Sequence, residues 1–417
     1  MRKKFNDVGL CFPEDHFMGD ISKKLAATYA MVEDGAYFII NRPRQYGKTT
    51  MLDTLANKLL ASDDYMPFRM SFEGISDRTF LDESYLAPGF IRLMAKSARS
   101  YAPDKQAELL AAAPTVTNLD ELSNFITDFV EKTDKKVVLM IDEVDKSSNN
   151  QLFVSFLGML RDKYLNRKLD KTFHAVVLAG VHDVKSLKLK IRPESESKYN
   201  SPWNISTTFK IDMNLNPSEI KPMLEEYVQA RSVKMDTQWV ADRLFFFTSG
   251  YPYLVSKLCK IIDEDILPEK LDKEWTEDDV NQAFNLILRA EQNANFQTLV
   301  KNLEHYPELY ELVYSMIFDS YILFYEPHNP VIQYGFTYGI FAHTETSRVV
   351  IHNKIYQERI ANMMLSRWQM DNPQISIPTL KSSDFIKETP SKDDLDMQKM
   401  LVKIAEFHAR TGLRERR

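Results

Sequence analysis

The sequence predicts an α/β fold, a parallel sheet with helices on both faces, followed by a helical segment and then a helix-plus-hairpin segment. Three observations carry this expectation. Short apolar runs of buried-strand length recur between stretches of helical periodicity in roughly the first half of the chain. From about Met213 helical patterns take over, with Pro217-Ser218-Glu219-Ile220 as a good helix start. From Leu309 onward a helix precedes two short apolar runs separated by a polar turn.

The elements follow in order. Gly35 to Asn41 reads as a buried parallel strand, Arg42 to Gly47 as a loop, and Lys48 to Leu60 as a helix. Phe68 to Phe72 is a second strand, and helical text runs from about Tyr85 to Glu131 with an interruption near Pro114. Lys136 to Ile141 is a third strand, followed by Asp142 and Glu143; Asn150 to Leu165 is an amphipathic helix. A fourth strand, Thr172 to Leu178, ends at Ala179-Gly180. Helical patterns then dominate to about Asn295. The helix from Leu309, with Gly339-Ile340-Phe341 and Arg348-Val349-Val350-Ile351-His352, has the order of a winged helix. A tail from Pro373, rich in Ser, Lys, Asp and Pro, precedes one last helix, Leu395 to Ala409. The expected divisions are 1–24, 25–212, 213–295, 296–372 and 373–417. There is no internal repeat.

Composition bounds the function. A hydrophobic fraction of 44% and a charged fraction of 27% over 417 residues exclude disordered and fibrous classes and suggest more than one compact unit. The net charge of −6 argues against a large sequence-independent nucleic-acid surface, which needs an excess of Lys and Arg. Two distant cysteines, Cys11 and Cys259, exclude a disulfide framework, and no Cys/His spacing points to zinc. The opening MRKKFNDVGLCFPEDHF has no apolar core of a signal peptide, and no stretch is apolar enough to span a bilayer. A cytoplasmic protein with no membrane partner is expected.

The strongest chemical signal is Asn41-Arg42-Pro43-Arg44-Gln45-Tyr46-Gly47-Lys48-Thr49-Thr50. A phosphate-binding P-loop reads GxxxxGK[ST] between a strand and a helix; here the second half is intact and Arg42 stands in place of the first glycine. Gly47 takes the backbone turn that aims N–H groups at phosphate, Lys48 supplies the point charge, and the Thr49 hydroxyl ligates magnesium. Arg44, Gln45, Tyr46 and Thr50 complete the cradle. A lone GKT recurs by chance, but Val137-Val138-Leu139-Met140-Ile141-Asp142-Glu143 supplies a Walker B strand. Asp142 would hold magnesium through water, and Glu143 would act as base toward the attacking water. The competing reading, a buried strand ending in a solvated acidic turn, loses ground once both motifs stand in one chain.

Weaker signals remain. His182, with Asp183 second, lies where a polar γ-phosphate sensor would follow the fourth strand; an exposed turn residue is the alternative. Arg161, Arg167 and Arg192 are placed for a finger acting on a neighbouring subunit, against the ordinary reading of surface arginines. Gly250-Tyr251-Pro252 breaks helical text, either near a ligand or as a plain turn.

Together NRPRQYGKTT, VVLMIDEVD, LAGVHDVKSLKLKIR, SPWNISTTF and GYPYLV resemble the AAA-like ATPases of bacteria, within the STAND group of P-loop switch proteins, from about Phe5 to Trp368. The resemblance implies an α/β P-loop NTPase domain, an α-helical lid and a winged-helix domain in that order, with ATP/ADP and Mg2+ as cofactors. It tolerates the departure at Arg42. Gly250 and Pro252 match a GxP motif whose proline packs beside the nucleotide and replaces the arginine of many AAA+ lids. Cys11 to Met18, with His16 and Phe17, resembles the N-terminal segment flanking the adenine. Many relatives continue into a nuclease-like domain of the PD-(D/E)xK kind; Leu395 to Leu401 resembles the linker helix before it, but no Asp…Glu-x-Lys follows, so nuclease activity is not expected.

The leading functional expectation is a slowly hydrolysing ATP-driven switch, closed with ADP and opened or made homo-oligomeric by ATP, with an unknown protein partner or effector; the chain is either a shortened relative or one whose effector is a separate protein. The alternative is a nucleic-acid-binding ATPase of mobile-element or defence biology working through the winged helix, although Glu304 to Arg359 is not markedly basic. A nucleotide-binding module that no longer hydrolyses is a third reading, opposed by the retention of Lys48 and Glu143.

Overall fold

The structure, a computed structural model, describes residues 2–144, 151–181, 207–289 and 294–371. Two compact units divide at Ala283 and Phe284.

In the first unit α1 (Ser22–Glu33) leads into β1 (Tyr37–Asn41), α2 (Lys48–Leu60) and β2 (Tyr65–Ser71). Then come α3 (Glu83–Ala98), α4 (Pro103–Ala112), α5 (Leu119–Glu131), β3 (Lys136–Asp142), α6 (Gln151–Leu165), β4 (Ala175–Gly180) and the short β5 (Thr207–Thr208). All five strands are parallel, in the order β2-β3-β4-β1-β5. This is the α/β sheet the sequence predicts. Val137 to Ile141 in β3 and all of β4 are buried, which is why they read as continuous apolar runs. Proline is tolerated at Pro67 because β2 is an edge strand.

The strand order places β4 between β1 and β3, pairing Ile39 with Leu178 and Leu178 with Ile141. The carboxyl ends of β1, β3 and β4 therefore open on one edge of the sheet, where ligands of open α/β folds bind.

Three boundaries differ from expectation. The helical text from Tyr85 breaks at Ala102 as well as near Pro114, because a residue before proline is driven out of the helical region: Ala102 has φ −144° and ψ 68°. β2 begins earlier, at Tyr65 instead of Phe68, and β4 begins three residues later than Thr172, at Ala175, and ends beyond Leu178 at Gly180. Strand β5 carried no periodic signal; two residues are too few to show one.

Past the sheet, α7 (Pro217–Arg231) starts with a capping box between Asn216 and Glu219. α8 (Thr237–Thr248) is capped by Asp236, α9 (Pro252–Ile261) follows a two-residue left-handed turn at Ser249 and Gly250, and α10 (Glu277–Arg289) spans the division between the units. The N-terminal residues pack within this unit: Phe5 and Phe17 lie 5.1 Å apart and Phe5 lies 4.9 Å from Tyr227.

The second unit contains α11 (Ala294–His305), α12 (Pro307–Phe318), β6 (Leu323–Phe324), α13 (Pro330–Thr337), β7 (Phe341–His343), β8 (Arg348–Ile351) and α14 (Lys354–Asp371). Its three strands are antiparallel in the order β6-β8-β7. Leu309, Val313, Ile317, Ile332, Ile340 and Val349 are buried in its core. Among the described residues no helix is long and apolar enough to cross a membrane. The expected helix from Leu395 to Ala409 lies outside the described residues.

Candidate functional site

The site is built at the carboxyl edge of the sheet. β1 ends at Asn41 opposite Gly180, and the chain turns through Arg42 to Gly47 before α2 begins at Lys48. Two positions in this turn are left-handed, Gln45 at φ 60° and Gly47 at φ 74°. Glycine takes that conformation freely, whereas Gln45 must be held in it. Space is open around the position a Cβ on Gly47 would take, with no atom within 4 Å. That is the form expected of a loop whose amides are to be approached closely.

Arg42 explains how the loop does without its first glycine. Its φ is not positive, so a side chain is accommodated there. The backbone N–H donates to the Gly180 carbonyl at 3.2 Å, and the guanidinium donates to the carbonyls of Asn41 at 2.7 Å and Ile211 at 2.9 Å. Its charge also lies 5.6 Å from the centroid of Phe209. Burial lowers its pKa, partly offset by Asp212 and Tyr46. Arg42 thus staples the loop to the chain after β5.

Lys48 is buried, and its ammonium donates to the carbonyls of Arg42 at 2.9 Å and Pro43 at 2.8 Å. The Thr49 hydroxyl donates to Asp142 Oδ2 at 2.6 Å. Asp142 Oδ1 accepts from the Glu143 N–H at 3.0 Å. Glu143 itself is left-handed at φ 53°, a conformation that costs a residue with a Cβ about 1–2 kcal/mol and so must be imposed by its surroundings. Lysine, threonine and aspartate from two separate strand ends are thus brought to one place.

A cavity of about 140 Å³ adjoins the loop. Gln45, Tyr46, Gly47 and Thr50 form one side, Phe17 and Met18 another, and Pro252 with Tyr253 a third. Phe17 is 2% exposed and packs edge-on to Tyr227 at 5.3 Å. His16 does not line this cavity; its Nδ1 accepts from the Phe12 N–H at 2.9 Å and so shapes the N-terminal turn, and burial lowers its pKa. Gly250 does not line it either. At φ 75° it lies against Leu215, whose N–H donates to the Gly250 carbonyl at 2.7 Å. Arg44 is exposed, and its carbonyl accepts from the Tyr251 hydroxyl.

His182, Asp183 and Arg192 lie outside the described residues. Arg161 has its Nε buried near Tyr37, and Arg167 stacks 3.9 Å from the centroid of Tyr164 while donating to that residue's carbonyl at 2.8 Å. Arg167 is therefore engaged within its own chain. Residues not anticipated include Asp7, Val8, Met51, Met213 and Tyr253 at the cavity, and Tyr251 against the loop. Their source in separate segments left no local pattern; of these, Tyr251 and Tyr253 stood inside a recognised motif, GYPYLV.

A parallel sheet with β4 between β1 and β3, a GKT loop after β1 and a buried aspartate at the end of β3 define a P-loop NTPase of the α/β class. The family description "AAA-like domain" matches residues 21–334, well over half of the chain, and the chain belongs to that family of P-loop ATPases. No curated protein gives a sequence match. Among solved structures, a Walker-type ATPase of Pyrococcus abyssi is similar in fold at TM-score 0.56 and 11% identity, over 87% of this chain and 99% of that one. The RuvB Holliday junction branch migration motor of Thermotoga maritima gives TM-score 0.41 at 16% identity, over 87% and 97%. The ORC2 protein of Aeropyrum pernix gives 0.42 at 12%, over 83% and 93%. The last two scores add nothing to the fold assignment.

Proposed function

We infer that this AAA-like ATPase binds ATP with Mg2+ and hydrolyses it slowly, as a switch whose nucleotide state sets domain arrangement or homo-oligomer formation. The observation that carries the reading is the Thr49–Asp142 hydrogen bond beside buried Lys48, which joins the two motifs at one point. Lys48 would pair with phosphate oxygens in exchange for the Arg42 and Pro43 carbonyls, and the amides from Gly47 onward would cradle the phosphates at the N-terminus of α2. Thr49 and Asp142, both hard oxygen donors, fit a magnesium ion, which when bound would neutralise phosphate charge. Glu143 would accept the proton of the attacking water. The adenosine would occupy the cavity between the N-terminal segment, the loop and Pro252.

On this reading residues 213–295 act as a lid and 296–372 as a winged helix, after a P-loop domain at 25–212 and a flanking segment at 1–24. The helix preceding the β7–β8 hairpin, α13, reads Pro-Val-Ile-Gln-Tyr-Gly-Phe-Thr and carries no Lys or Arg. A major-groove role would therefore draw no phosphate contact from that helix's side-chain charges, so a protein effector is favoured over nucleic acid as partner. A cytoplasmic location accords with this.

The test compares ATP binding, turnover and assembly size for wild type, Lys48→Ala and Glu143→Gln, with Mg2+ and then with duplex DNA. Lys48→Ala should lose nucleotide binding. Glu143→Gln should keep it while turnover falls by about 100-fold or more. Absence of nucleotide binding by wild type would overturn the reading; DNA-stimulated turnover would favour the nucleic-acid alternative.

A further inference from the structure

One tyrosine grips the crest of the loop at two points. The Tyr251 ring packs on Tyr46 with centroids 4.3 Å apart and planes tilted by 33°, and its hydroxyl donates to the Arg44 carbonyl. Between those two gripped residues lies Gln45, the non-glycine residue held left-handed at φ 60°. Peptide planarity gives the grip a consequence. In a trans peptide the carbonyl and the following N–H point in opposite directions, so fixing the Arg44 carbonyl toward Tyr251 turns the Gln45 N–H away from it.

Tyr251 is itself fixed from behind. Its N–H donates to the Thr248 carbonyl at 3.0 Å, and its own carbonyl accepts from Val255 in the first turn of α9 at 3.0 Å. Gly250 next to it has no room to shift: a Cβ there would stand 2.1 Å from the Leu215 carbonyl oxygen. Tyr251 is 1% exposed and Tyr46 4%, so the ring contact is shielded from water, while the hydrogen bond to the Arg44 carbonyl is partly buried. The next residue, Pro252, lines the cavity.

We propose that Tyr251 is a positioning residue that sets the loop's phosphate-binding conformation from the α8–α9 turn, so that the placement of α9 and affinity for the phosphates of a nucleotide are coupled. The inference rests on the nucleotide reading above and adds a division of labour to it. The cavity recognises the nucleoside, while Tyr251 tunes only the part of the site that meets phosphate. Tyr251→Phe keeps the ring on Tyr46 and removes the hydroxyl's hold on the Arg44 carbonyl.

The experiment titrates wild type and Tyr251→Phe, as the full chain with Mg2+, with ADP and separately with adenosine. The variant should bind ADP about 3- to 10-fold more weakly, the worth of one neutral hydrogen bond, and adenosine within about 2-fold of wild type. Equal loss for both ligands would mean general packing and overturn the proposal, as would no loss for either. Wild type failing to bind ADP would sink the nucleotide reading and this inference with it. Wild type binding ADP with the variant unaffected would sink this inference alone. Should the variant not fold, amide exchange of the wild type decides: ADP should protect 249–256 beyond the protection given by adenosine, and equal protection would overturn the coupling.

Discussion

Replacing Gly250 with alanine tests whether the α8–α9 turn is set by backbone contact or merely by loop preference. Gly250 and Gly47 are both left-handed, at φ 75° and 74°, so alanine meets the same local penalty of about 1–2 kcal/mol at each. Their surroundings differ. A Cβ on Gly250 would stand 2.1 Å from the Leu215 oxygen and 2.8 Å from its carbonyl carbon, whereas one on Gly47 would meet nothing within 4 Å. Backbone cannot rotate aside as a side chain can. The clash therefore adds about 1–3 kcal/mol of overpacking and strains the 2.7 Å bond from Leu215 N–H to the Gly250 carbonyl, worth roughly another 1 kcal/mol. Gly250→Ala should lose roughly 3–6 kcal/mol in all, and Gly47→Ala only about 1–2. At about 2–4 °C per kcal/mol for a unit of this size, calorimetry should show a Tm drop of roughly 6–24 °C against about 2–8 °C. Equal drops, or the larger one at Gly47, would refute the contact argument.

Two further expectations concern the ties of the N-terminal residues to the helices. Lys24 and Glu219 form a buried ion pair, each side chain 9% exposed, and Glu219 also closes the capping box of α7. Glu219→Gln preserves the cap but strands the ammonium, so urea unfolding should show a loss of about 3–5 kcal/mol, most of it recovered in Lys24→Met/Glu219→Gln. A loss below about 1 kcal/mol, typical of a surface pair, would contradict the burial argument. Asp7 accepts from Lys257 at 2.8 Å and Lys260 at 2.7 Å. Burial pushes the Asp7 carboxyl up, but those two bonds and charges outweigh it and hold the pKa below its ordinary 3.8. With the folded value depressed, the stabilisation is full above 3.8 and is lost as pH falls through the folded value. Exchange protection of residues 3–11, corrected for intrinsic rates, should hold from pH 7 to about 4, fail below that, and fail at pH 7 in Asp7→Asn. Fading protection near neutrality would show that another group secures the segment.

Local chemistry was legible wherever it repeats over short spacing. The bounds of α2, Lys48–Leu60, follow from the helical pattern after Gly47, and β3 reads plainly because burial on both faces makes it apolar throughout. The pairing of Lys48 and Thr49 with Asp142 was readable as two motifs, although their contact was not. Harder to see was the break at Ala102, since the proline signal competed with good helix formers on both sides. Methionines at the cavity beyond Met18 left no trace either: Met51, Met213 and Met223 come from separate segments, and an adaptable side chain imposes no spacing.

By itself the sequence determined the α/β class, the P-loop after the first strand and the acidic end of the third, because hydrophobic periodicity and a few obligatory residues act over one element at a time. Only the tertiary structure decided that β4 separates β1 from β3, that Arg42 staples the loop through Ile211 and Phe209, and that Tyr251 holds Tyr46 and, from 207 residues away in the chain, Arg44. Such contacts depend on which surfaces meet once the sheet has closed over its core, and no local periodicity encodes that choice.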